Sequence, residues 1–302
     1  MKINLKRMIM KTATKKIGLA ALVILGIFLV TTSCNKEEAL DTSALTANVD
    51  GELYTAEVFD EIAEIGDEAL DLAETNESNL KTGVVFGYSR LSECVTVTKV
   101  ITDTLITTTI DFGEVNCLCN DGRERRGKII MTHEGHYWDG TVYIDFAFDN
   151  FFVDDNQVVG EKQVMQTINN DGNRESVISI NGSLILADGS GTISLVAEKV
   201  RTIVVGSDTK TKRDDAIETT GNSTVILADG TVVTTDILSP LVRKHEMNCF
   251  MYIVQGVLQI VHGEASPITI DYGNGECDNL ATVTQDGVSV VVELQRKCNK
   301  SI

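Results

Sequence analysis

His133-Glu134-Gly135-His136 is the stretch of this 302-residue chain closest in composition to a zinc-hydrolase motif. A zincin helix places two residues between the glutamate and the second histidine, so that both imidazoles leave one face; here a single residue intervenes. If the segment is extended instead, residues three apart point to opposite sides, and two strand histidines with half-exposed rings are expected. No Gly-x-Ser-x-Gly elbow and no phosphate-cradling glycine loop is present. Aspartate and glutamate total 44 against 26 lysines and arginines, so any two could be nominated as a glycosidase pair, which is defined by its separation in space. The sequence therefore assigns no catalytic residue and no cofactor.

Binding chemistry is easier to place. Arg123, Arg125, Arg126 and Lys128 follow the Asp121-Gly122 turn, while Arg243, Lys244 and His245 precede Cys249. Guanidinium forks grip carboxylate or sulfate bidentately, which makes Arg123, Arg125, Arg126, Arg243 and Lys244 candidates for anion binding if the clusters converge. The competing expectation is pairing with the chain's own acids. Asp271, Asn274, Glu276 and Asp278 crowd one loop with oxygen ligands, but the twelve-position EF-hand pattern is absent and ordinary turn use is expected. On a strand Cys117 and Cys119 would share a face, yet no third and fourth ligand stands at a recognisable spacing, so no metal is assigned.

The N-terminus supplies an address. Residues 1 to 16 hold six basic and no acidic residues, and Ile17 to Val30 is unbroken by charge. Fourteen helical residues reach ~21 Å, short of the ~30 Å hydrocarbon core, so a signal-peptide apolar region fits better than a permanent span. Thr31-Thr32-Ser33-Cys34 resembles the lipobox of bacterial lipoproteins, although threonine stands where leucine is commonest. The resemblance implies diacylglycerol modification at Cys34, a new N-terminus there and an oxidising compartment. Lys36-Glu37-Glu38 resembles a surface-export signal. Loss of residues 1 to 33 would move the net charge from −18 to −24, which disfavours nucleic acid through long-range repulsion.

Behind a tether over 34–54, residues 55–83 are expected to form an acidic amphipathic helix and linker. Val58, Ile62, Ile65, Ala69 and Leu72 recur at helical spacing. The remaining faces carry acids with no lysine or arginine among them, as a solvated face on a helix packed against a sheet or a docking helix for a basic partner. Residues 84–302 read as strands. Val142, Ile144, Phe146 and Phe148 alternate with Tyr143, Asp145, Ala147 and Asp149. Asp-Gly or Asn-Gly pairs at 121, 139, 171, 181, 188, 229 and 286 predict tight hairpins. The fold class is mainly β: a large antiparallel sheet system, as a sandwich or half-barrel, with one N-terminal amphipathic helix.

Two echoes suggest related hairpin units. Thr109-Ile110-Asp111-Phe112-Gly113 with Cys117 matches Thr269-Ile270-Asp271-Tyr272-Gly273 with Cys277, and NGSLILADG (181–189) matches NSTVILADG (222–230). The segments TIDFGEVNC, DGRERRGKI, FDNFFVDDNQV, SPLVRK and DYGNGECDN together resemble a group of uncharacterised Bacteroidota surface lipoproteins of the Flavobacteria and Cytophaga type. That resemblance implies a strand-rich chain and no activity. Six cysteines besides Cys34 in an exported chain favour disulfides, with fifteen pairings open. The repeat suggests Cys94 with Cys117 and Cys249 with Cys277, leaving Cys119 for Cys298. Together these readings point to an outer-membrane, lipid-anchored protein at the cell surface with a non-enzymatic binding or structural role, its partner a surface glycan or protein. The alternatives are an apolar-ligand carrier and a surface glycan hydrolase.

Overall fold

The computed structural model describes residues 55–70, 80–81 (backbone only), 90–135, 140–209, 214–245 and 253–294. Helix α1 covers 55–70. Fifteen strands follow: β1 Leu80–Lys81, β2 Thr96–Thr102, β3 Leu105–Asp111, β4 Cys117–Leu118, β5 Glu124–Glu134, β6 Val142–Val153, β7 Asn156–Ile168 and β8 Arg174–Ile185. The series continues with β9 Thr192–Val205, β10 Ala216–Ile226, β11 Val232–Lys244, β12 Ile253–His262, β13 Ile268–Asn274, β14 Leu280–Gln285 and β15 Val288–Glu293. Each strand of the main path pairs antiparallel with its neighbours in the chain, except that β4 leaves the path to pair with β5, so β3 lies beside β5. The result is one open meander, as alternation and turn chemistry require.

Turn residues act where the dipeptides predict them. Gly122, Gly172, Gly189, Gly230 and Gly287 all carry positive φ. Asp286 and Gly287, at 51° and 78°, close the β14–β15 hairpin in the conformation that matches strand twist. Asp154 and Asp155, at 49° and 66°, do the same for β6–β7 without any glycine. Asn181-Gly182 departs from the expectation: it lies inside β8, not at a turn. A Cβ at Gly182 would stand 2.2 Å from Cζ of Phe59, so the glycine serves close approach of the helix to the sheet. Gly66 does the reverse from the helix side, where a Cβ would meet Phe146 Cε1 at 2.8 Å.

Helix α1 lies along one face of the sheet, with Val58, Phe59, Ile62, Ile65 and Ala69 all buried among strand side chains. Phe59 meets Phe148 of β6 edge to face at 6.2 Å and covers Gly182 of β8. The sheet must curl to do this. A flat sheet would hold β5 and β11, six strands apart, about 29 Å from one another. Yet the single carboxylate of Glu64 takes Arg243 of β11 at 3.1 Å and Arg90, whose Nε stands 3.8 Å from Asp121 just ahead of β5. The helix thus defines an inner, concave face. Mid-strand glycines permit the bend: Gly160, Gly221 and Gly256 have positive φ and lie where a Cβ would stand 2.1 to 2.4 Å from the neighbouring strand's backbone.

The sequence echoes are structural echoes. Asp111 and Asp271 each accept a hydrogen bond from the backbone N–H two residues on, at 2.9 Å, and Gly113 and Gly273 share φ of 87°. Asp188 and Asp229 likewise accept from Ser190 and Thr231 in the turns behind β8 and β10.

Candidate functional site

Arg123, Arg125 and Arg243, three of the charged residues singled out by composition, converge on α1. Arg123 places Nε 2.9 Å from Glu61, Nη2 3.2 Å from Glu57 and Nη1 3.0 Å from Asp154. Arg125, 1% exposed, clasps Asp121 bidentately at 2.8 and 2.7 Å and reaches Glu61 at 3.1 Å. Burial works against its charge, but the hydrogen bonds and field of Asp121 more than offset this and raise its pKa above the ordinary arginine value. Further along the helix Lys199 bonds both oxygens of Asp60 at 2.9 Å, and Glu64 lies between Arg90 and Arg243. Burial raises the Glu64 carboxyl, yet Arg90 and Arg243 outweigh it and hold the pKa below the usual carboxylate range; Lys199 and Lys162 do the same for Asp60.

Lys162 completes the cradle from β7. Its side chain is buried, its ammonium donates to the backbone carbonyl of Phe59 at 2.5 Å, and it stands 5.7 Å from the centroid of the Phe146 ring. Burial pulls its pKa down to about 7, against the opposing pull of Asp60. The acidic helix and the basic sheet face are therefore each other's partner. The expected solvated acidic face is corrected: Glu61 and Glu64 are mostly covered, at 14% and 19% side-chain exposure.

The candidate anion site is corrected with it, because all five of its cationic groups are engaged within the chain. Arg123, Arg125 and Arg243 hold the helix. Arg126 turns away, contacts Asp155 and Asn116, and stacks over the Phe152 ring at 3.9 Å. Lys244 donates to the Gly275 carbonyl at 2.8 Å. Where these cations do come together, the anions they meet are carboxylates of α1 itself.

His133, one residue before the end of β5, has a buried ring, not a half-exposed one, and His136 lies outside the described residues. Asp271, Asn274, Glu276 and Asp278 line an open depression of about 270 Å³. There Asp271 and Asp278 accept local backbone N–H bonds, which is turn use. Among the described residues no group of three or more histidines, cysteines or acids is placed to hold a metal ion. Cys94 and Cys117 form the disulfide that the repeat suggested, and Cys277 is also disulfide-bonded. Cys34, Cys249 and Cys298 lie outside the described residues. Cys119 corrects the expected pairing with Cys298: it is a free, buried thiol 3.6 Å from the Cys117 carbonyl oxygen. Burial, only partly opposed by Arg125, pushes its pKa up.

No protein family, no curated protein and no solved structure matches this chain. Its functional reading rests on its own residues.

Proposed function

We propose that the protein is a lipid-anchored component of the cell envelope, carried on the outer membrane and facing outward, whose role is non-enzymatic binding or envelope structure. One observation carries the non-enzymatic part: the concave face, where a curved sheet would receive a ligand or substrate, is filled by the chain's own helix. Phe59 and Ile62 are buried against it, and Arg125, Lys199 and Arg243 close on the helix carboxylates. A carrier for an apolar ligand needs that space empty, and a glycosidase needs two carboxylates facing each other across a cleft. Here the helix carboxylates face cations. The leader and Thr31-Thr32-Ser33-Cys34 support the anchor, since several acyl chains hold a soluble domain on a bilayer at ~0.8 kcal/mol per buried CH₂.

The test is labelling with radioactive palmitate in cells expressing the full chain or its Cys34→Ala form, with globomycin as a second arm and protease shaving for exposure. Label confined to the unsubstituted chain, a precursor that accumulates under globomycin and digestion in intact cells are the expected results. An unlabelled chain released free of the envelope overturns the proposal.

A further inference from the structure

The strands that cradle the helix sort their charges by side. In β6 to β10 all six carboxylates, Asp145, Asp149, Glu161, Glu175, Glu198 and Glu218, occupy positions of outward parity. All four cations of the same strands, Lys162, Arg174, Lys199 and Arg201, occupy positions of inward parity. Period two makes this possible, because Glu161-Lys162, Arg174-Glu175 and Glu198-Lys199 are adjacent in sequence and so project to opposite faces. Of the inner cations, Lys162 and Lys199 bond α1, while Arg174 donates to the Thr209 carbonyl at 2.9 Å. The outer carboxylates stand on a face that carries no lysine or arginine in these strands.

Across that face runs an apolar stripe. Register places Tyr143 beside Met165, Met165 beside Val177 and Val177 beside Val200, one residue from each of β6 to β9. At the spacing of paired strands the stripe is about 14 Å long, and Tyr143 at one end is 65% exposed. A polar row flanks it on either side. Asp145, Gln163, Ser179 and Glu198 follow one another in register on one side, with Gln163 donating to Asp145 at 2.7 Å and Ser179 to Glu198 at 3.2 Å. Glu175, Thr202 and Glu218 follow on the other.

We infer that this outer face docks a basic segment of a partner protein, one that lays an apolar ridge along the Tyr143 stripe and sets lysines or arginines over the two carboxylate-bearing rows. The inference rests on the non-enzymatic binding reading above and names the chemistry of its partner. Charge complementarity selects the occupant: an exposed tyrosine in an apolar strip supplies the anchor of an interface, and rims of one sign choose a partner of the other. The same field repels nucleic acid and anionic lipid.

The test uses the full-length protein in phosphatidylcholine nanodiscs, with empty nanodiscs subtracted. The probe is a fluorescein-labelled amphipathic peptide of lysine and leucine, followed by anisotropy at about 0.15 M salt, where diffuse surface attraction is screened beyond ~8 Å. Saturable binding is expected, weakened about tenfold or more by Tyr143→Ser and several-fold by Glu175→Gln with Glu198→Gln. All of these side chains lie on the outer face, so thermal melts of the variants should match the parent. Binding that these substitutions leave unchanged, no binding at all, or equal binding of a lysine–serine peptide lacking the apolar ridge each overturn the inference. Palmitate incorporation, measured on the same preparations, keeps the two readings apart: a labelled chain that fails to bind loses only the docking face, and an unlabelled chain that binds loses only the anchor.

Discussion

Phe59 and Gly182 offer the sharpest probe of how helix and sheet fit. Phe59 is fully buried, and its truncation to alanine should remove about 3–5 kcal/mol, the usual range for a buried aromatic. Gly182→Ala introduces a methyl 2.2 Å from Cζ and 2.5 Å from Cε1 of that ring, well inside van der Waals contact. The ring is wedged between β8 and Phe148, so relief requires the helix to shift, at a cost of about 1–3 kcal/mol. In the double variant the clash is gone and the new methyl occupies part of the space the ring vacated, which recovers about 0.8 kcal/mol. The double variant should then be no less stable than Phe59→Ala alone, a coupling of about 2 kcal/mol or more. Urea denaturation followed by far-ultraviolet circular dichroism measures all four corners of the cycle. Additivity within about 0.5 kcal/mol, the behaviour of independent sites, would refute the claim that the glycine exists to admit the ring.

Two further outcomes follow from the cradle. Arg125→Met should cost about 3–5 kcal/mol at neutral pH, because it leaves the part-buried carboxylates of Asp121 and Glu61 without their shared cation; chemical denaturation that finds a neutral effect would contradict the assignment. Lys162 has a folded pKa near 7 against an ordinary 10.5, so between these values the unfolded chain binds more protons than the folded one. Stability should therefore rise as pH climbs from about 7 to about 10, by an amount on the order of 4 kcal/mol. Lys162→Met should flatten that rise, and parallel slopes for the two proteins would show that the lysine does not titrate in the fold.

Much of this architecture could be read from local signals, and the failures have a common cause. Helix α1 was visible in the spacing of Val58, Ile62, Ile65 and Ala69, and the hairpins in Asp-Gly pairs whose positive φ few other residues tolerate. The charge-sorted sheet was written in dipeptides such as Glu161-Lys162, though its sense emerges only once register fixes which face is inward. Asn181-Gly182 looked like a turn because the local chemistry is the same; a ring 123 positions upstream decides otherwise. Arg243 and Glu64 are 179 residues apart, so no window along the chain could pair the basic cluster with the acidic helix. The Asp154-Asp155 turn has no glycine to announce it, although aspartates are among the residues that accept the left-handed region.

Helix α1 is part of the folded core of the sheet and not a detachable appendage. An isolated helix of this length is marginal in water, so its backbone amides would exchange with solvent almost unprotected if it were not held. Native-state hydrogen–deuterium exchange read by mass spectrometry compares residues 55–70 with the central strands β6 to β9 directly. Protection of the helix equal to that of those strands, collapsing together with theirs in urea, is the predicted result. Exchange of the helix within seconds while the strands stay protected would contradict it.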